Sequence, residues 1–128
     1  MYRPIRTGAA VLCATLLLLG GCASNPMVQN IQGASVPAGS TMSEVYDAIV
    51  EGGKVRGWKI RQIEPGHAEG TLFVRSHVAK VDVFYDTDSY SIEYKDSENL
   101  EYEDGTIHGN YNKWVQNLDG DIQRALVY

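Results

Sequence analysis

The stretch SENLEYEDGTIHGNYNKWV, Ser97–Val115, places Glu98, Glu101, Glu103 and Asp104 beside Tyr102, His108, Tyr111 and Trp114. Closely set carboxylates can serve general acid–base chemistry or hold a hard cation. Here the four acids follow one another too closely to bracket a scissile bond in any defined way, and an acidic run is ordinarily a solvated surface. Ser76, His77 and Ser91 offer hydroxyl and imidazole, but a nucleophile needs a base in hydrogen-bond reach and a place for the oxyanion. No G-x-S-x-G elbow is present to build one. The expectation is therefore that the chain is not an enzyme.

Metal chemistry has little more to stand on. His67, His77 and His108 lie ten and thirty-one residues apart, without the closely spaced ligand pair that zinc sites draw from sequence. DTDSY, Asp86–Tyr90, opens like a calcium loop, yet Ser91 stands at the sixth position, which needs glycine, and Ser97 at the twelfth, which needs a bidentate glutamate. A hairpin turn whose aspartates bond their own backbone explains it better. No metal and no cofactor is expected. Arg75 and His77 alternate with Phe73 and, on the next strand, with Asp82 and Phe84. That pattern predicts a wetted sheet face bearing aromatics and charges, a candidate contact surface, although an Arg75–Asp82 cross-strand pair accounts for part of it. The candidate contact residues are Arg75, His77, Tyr102, Glu98, Glu101, Glu103 and Asp104.

These residues need elements to position them. Thr41-Met42-Ser43-Glu44 fits a capping box, and Met42, Val45 and Ile49 follow on one helical face, so a first helix is expected to run into Val55 and stop at Gly57. From Trp58 the apolar period changes to two. Trp58 and Ile60, then Leu72 and Val74, then Val81, Val83 and Tyr85, then Tyr90, Ile92 and Tyr94 mark four strands with one apolar face. Pro65-Gly66 and Asp86–Ser89 supply turns. Trp114, Val115, Leu118, Ile122 and Leu126 recur at helical spacing, with Asn110 or Asn112 as cap. The expected fold is α+β, an α-β-β-β-β-α two-layer sandwich with an antiparallel sheet and both helices on one face. Between Tyr94 and Asn110 run about fifteen residues, longer than most connections. Asp104-Gly105 suits a tight turn there, and Leu100, Tyr102 and Ile107 can pin the loop to the core.

Charge, cysteine usage and the chain's front end bound the class. Arg3 and Arg6 precede an apolar run, Gly8–Leu19, shorter than the roughly 20 residues a spanning helix needs. The run closes on Leu19-Gly20-Gly21-Cys22, which looks like a bacterial lipobox. This predicts a lipoprotein signal peptide over 1–21, a lipidated Cys22 with a flexible tether over 22–40, and a single globular domain over 41–128. A tether of this small, polar composition would reach roughly 20–25 Å. Ala23 rather than aspartate after the cysteine points to the outer membrane, facing the periplasm. Cys13 falls in the signal, so the processed chain has no disulfide and no free thiol. It would carry 9 basic against 16 acidic side chains, a net charge of −7, which argues against nucleic acid as a partner.

Behind that lipobox, RSHVAKVDVFYD, YSIEYKDSENL and IHGNYNKWVQNLDGDI occur in this order between Arg75 and Ile122. The pattern resembles a group of small outer-membrane lipoproteins of Gram-negative bacteria, a family without an assigned function, and the resemblance covers residues 58–126. The resemblance implies the envelope location and the lipid on Cys22, and no reaction, ligand or partner. The expected function is that of a lipid-anchored envelope protein acting by contact with another envelope protein, in a structural or assembly-accessory role. The alternatives are a binder of a small ligand or cell-wall fragment through Arg75, His77, Tyr94 and Tyr102, and, behind it, an uncharacterised hydrolase.

Overall fold

The computed structural model describes residues 24–128. The expected signal peptide and lipid-bearing Cys22 lie outside the described residues. The order of elements is β1 (Ile31–Ser35), α1 (Met42–Val55), β2 (Lys59–Glu64), β3 (His67–Val74), β4 (His77–Tyr85), β5 (Ser89–Glu98) and α2 (Asn110–Val127). The five strands form one antiparallel sheet in the order β1-β5-β4-β3-β2. The α+β sandwich expected from periodicity is present, with a fifth strand added.

That fifth strand corrects the expected tether. Residues 25–40 are small and polar, a composition that suits a linker, yet β1 pairs with β5 through Ile31–Ile92 and Ala34–Tyr90. Val36 is buried, and its N–H bonds to the Asp88 carbonyl at 3.1 Å. A short edge strand needs few apolar side chains when another strand supplies the hydrogen bonds, which is why its composition did not betray it.

The remaining elements follow from local chemistry. The Thr41 hydroxyl accepts from the Glu44 N–H (3.1 Å) and the Glu44 carboxylate from the Thr41 N–H (2.9 Å), closing the capping box of α1. Pro65-Gly66 turns β2 into β3, with Gly66 at a φ of 88°. The Asp86 carboxylate accepts the N–H groups of Asp88 (2.7 Å) and Ser89 (2.9 Å), and those bonds hold its pKa below the ordinary value. The final helix departs from its expected cap. Gly109 stands at the N-cap without a side chain, and the His108 ring accepts the Asn110 N–H at 3.1 Å instead.

One face of the sheet is covered. Ala68, Leu72, Ala79, Val81, Val83, Tyr85, Tyr90 and Ile92 point at Val45 and Ile49 of α1 and at Tyr111, Val115, Leu118 and Ile122 of α2. The two helices touch where α1 carries glycine. A Cβ on Gly52 would sit 2.7 Å from the backbone of Ile122, so only glycine lets them meet. This explains a residue type that costs about 1 kcal/mol inside a helix. Beside that contact, the buried Asp121 carboxylate is held by Arg56 (2.8 Å) and Arg124.

Candidate functional site

The long connection from β5 to α2 is ordered by its own side chains. Leu100 and Ile107 are buried, and the His108 N–H donates to the Leu100 carbonyl at 2.8 Å. Glu103 and Thr106 exchange backbone bonds of 3.0 and 2.9 Å around Asp104-Gly105, both with positive φ, so the expected tight turn is a small hairpin. Tyr102 does not enter the core. It stays half-exposed and stacks on Tyr94, with ring centroids 4.2 Å apart. Tyr94 in turn bonds Ser97 at 2.8 Å, and burial raises its pKa. Glu98, Glu101, Glu103 and Asp104 all face solvent, as expected of an acidic run.

Arg75 and His77 lie elsewhere than the alternation suggested. Register pairs Val74 with His77, leaving Arg75 and Ser76 as a two-residue turn in which Arg75 adopts a φ of 54°. Arg75 therefore sits at a hairpin tip rather than on the open sheet face, and it makes no pair with Asp82. The turn also resets the parity. His77 returns on the helix-bearing side, with ring centroids 6.1 Å from Trp114 and 6.2 Å from His108. Two bonds join this hairpin to the loop, from the Asn99 amide to the Ser76 carbonyl (2.8 Å) and between His77 Nδ1 and the Asn99 carbonyl (2.7 Å). All four positive-φ non-glycine residues of the described chain, Arg75, Asn99, Glu101 and Asp104, lie in these two joined segments. Asn and Asp tolerate that conformation, whereas Arg and Glu pay for it in steric strain.

The structure thus brings Arg75 and His77 near the acidic loop without forming a chemical centre. Among the described residues, five depressions of about 260–580 Å³ have linings that do not include Arg75, His77, Tyr94 or Tyr102. Among the described residues no group of three or more His, Asp, Glu or Cys side chains could hold a metal ion.

The uncovered sheet face carries a charge network that sequence reasoning missed. Glu69 binds Arg61 (3.1 Å) and Lys95 (3.8 Å), while Asp82 binds His67 (2.8 Å) and Lys95 (3.7 Å). His67 stacks on Phe84 at 4.5 Å. The His67–Asp82 pair is half of a general-base arrangement. In the ladder Asp82 stands between Glu69 and Glu93, and His67 between Glu64 and Phe84, so neither has a serine or threonine directly opposite. Phe73 and Phe84 are exposed on this face, 58% and 41%. The register Arg61–Glu69–Asp82 across three strands held the signal, but pairing distant strands requires knowing the turns.

A second unforeseen feature is how the N-terminal segment is fastened. The buried Asn112 amide accepts the Gln29 N–H and donates to the Met27 carbonyl, both at 2.9 Å. Val28 donates to the Gly105 carbonyl at 2.8 Å, and Ile107 to the Pro26 carbonyl at 2.9 Å. The Asn25 amide reaches the Glu101 carboxylate at 3.0 Å. The acidic loop and the start of the described chain are therefore one assembled end of the molecule. Compared with protein-family models, curated proteins and solved structures, the chain gives no match.

Proposed function

We propose that this chain is a lipid-anchored protein of the Gram-negative envelope, held at the outer membrane through Cys22 and facing the periplasm, which acts by contact with another envelope protein. The role is structural or assembly-accessory rather than catalytic. The lipobox and the acidic processed chain, whose one cysteine would carry the lipid, support the location. No helix among the described residues is long and apolar enough to cross a membrane, and acyl chains would supply the attachment.

The observation that carries the contact role is the sheet face left uncovered by both helices, with Phe73 and Phe84 exposed among oriented charge pairs. Aromatics and arginine amid polar groups are the composition of contact surfaces. The small-ligand reading has less behind it, since its four residues do not converge on one depression. In-cell crosslinking with mass spectrometry tests the proposal. A protein crosslinked reproducibly to the sheet face is the expected outcome. Recovery of crosslinks only within the chain itself, at native abundance, would sink it.

A further inference from the structure

The sheet has two edges, and they are finished differently. β1 is short, carries a bulge between Ile31 and Ala34, and includes Gly33 at a φ of 64°. Bulges and short length are devices that protect an edge from pairing. At the other edge, β2 pairs with β3 in register from Lys59 to Gln62, and its own irregularity falls at the end of the strand, between Gln62 and Glu64. No strand lies on its outer side. Among the described residues, no backbone group of Lys59–Glu64 bonds to anything but β3.

Depressions flank this edge on both faces. On the open face, about 310 Å³ is lined by Lys59, Arg61, Glu69, Thr71, Phe73 and Lys80, with Ile60 at its margin. On the helix side, about 350 Å³ is lined by Val50, Gly57, Trp58 and Ile60, with Lys54 and Lys59 at its margin. Lys54, Arg56, Lys59 and Arg61, four of the nine basic side chains after Cys22, fall within eight residues. Lys54 is paired with Glu51, Arg56 with Asp121 and Arg61 with Glu69, which leaves Lys59 as the cation of this run without an acid partner among the described residues. Lys59 and Lys80 flank Thr71 in register, and among the described residues neither has a carboxylate within 4.0 Å.

We propose that β2 is an acceptor strand for an extended segment of a partner protein in which acidic residues alternate with apolar ones. The open backbone row supplies the ladder. The incoming acids lie on the open face against Lys59 and beside the Arg61–Glu69 pair, and the apolar residues enter the depression beside Ile60 and Val50. Strand addition takes its affinity from main-chain bonds and its specificity from such alternate pockets. A headgroup surface cannot extend a ladder. Two-fold pairing of β2 with itself, centred on Ile60 or Arg61, sets cation against cation, so the same charges that exclude a second copy select an acidic guest. The inference names the partner chemistry for the contact role proposed above and rests on that reading.

The test uses the protein as the cell makes it, isotopically labelled, in zwitterionic detergent. It is titrated with a peptide of about ten residues alternating glutamate and valine. Amide shifts and slowed exchange are expected at Lys59–Gln62, and Lys59→Glu is expected to weaken binding at least about fivefold, more at low salt. Methylating alternate peptide nitrogens on the pairing edge should reduce binding to that of a lysine–valine control. Equal binding by the methylated peptide, indifference to Lys59→Glu, or shifts centred on another surface would overturn the proposal. So would identical shifts from phosphatidylglycerol vesicles, or a concentration-dependent dimer that protects β2. Crosslinks to a protein at a different face would defeat this assignment and leave the contact role standing, whereas an absence of protein crosslinks would defeat both.

Discussion

At the scale of single residues, Asn112 has consequences out of proportion to its size. Its amide satisfies both a donor and an acceptor of the N-terminal segment, one hydrogen bond each way. Asn112→Ala leaves two backbone groups to find water in a place that is 7% exposed. A cost of about 1–3 kcal/mol per unsatisfied group is expected, read as a lower denaturation midpoint together with faster amide exchange at Val28–Ala34. An unchanged exchange pattern would show that β1 is held by β5 alone. Tyr90 and Tyr111, together with Tyr94, shape the response to base. Burial raises all three pKa values above 10.0, and for Tyr90 the bonded Asp119 carboxylate raises it further. Raised folded-state values mean that stability is complete below about pH 10 and declines above it, because only the unfolded chain ionises there. Denaturation in base should begin at that point, and Tyr111→Phe should flatten the decline. Equal slopes for the variant and the parent would rule the cause out.

Among the elements, the contact between the helices is the most exacting. Gly52→Ala places a methyl group 2.7 Å from the Ile122 backbone, where no side chain can rotate away. The gain in helix propensity, about 1 kcal/mol, is expected to be outweighed, and the melting temperature should fall. Leu118, with no exposed surface, should cost about 2–5 kcal/mol when cut to alanine. A midpoint unmoved in either variant would mean that α2 does not close the core. The loop before α2 yields a sharper test. The amides of Glu103, Thr106, Ile107 and His108 are bonded and should exchange slowly, while those of Glu101 and Tyr102 exchange fast. Uniformly fast exchange from Glu98 to His108 would make the segment a mobile linker.

On the scale of the whole molecule, the fastening of the N-terminal segment changes what a lipid at Cys22 would mean. Asn25 already belongs to the folded body, bonded to Glu101. It follows Cys22 by three residues, so the anchor would lie within about 11 Å of it. A tether over 22–40 would let the domain turn freely, whereas a lipid at Cys22 would here lie beside the acidic hairpin, with β2 at the opposite edge of the sheet from β1. Cys22→Ser is expected to abolish acylation and leave unprocessed precursor in the inner membrane. Intact-mass analysis of the parent showing no lipid would remove the localisation altogether.

The local order of the chain determined most of the fold. A capping box, a change of apolar period at Trp58 and the stripe through Leu118 and Ile122 are short-range patterns, and each names its element because backbone hydrogen bonding and side-chain direction repeat within a few residues. The turn at Pro65-Gly66 and the acidic character of the loop were legible for the same reason. What only the tertiary structure decided depends on residues far apart in the chain. β1 exists because β5 offers it a ladder, sixty residues on. Asn112 is a clasp because Met27 and Gln29 lie against it. Arg75 left the sheet face, and His77 changed sides, because a two-residue turn alters parity, which no alternation pattern records across the turn itself. The cations of β2 acquire meaning only once the sheet order makes that strand an edge. Hydrogen bonding between distant strands carries no sequence periodicity, and so it is decided by the fold.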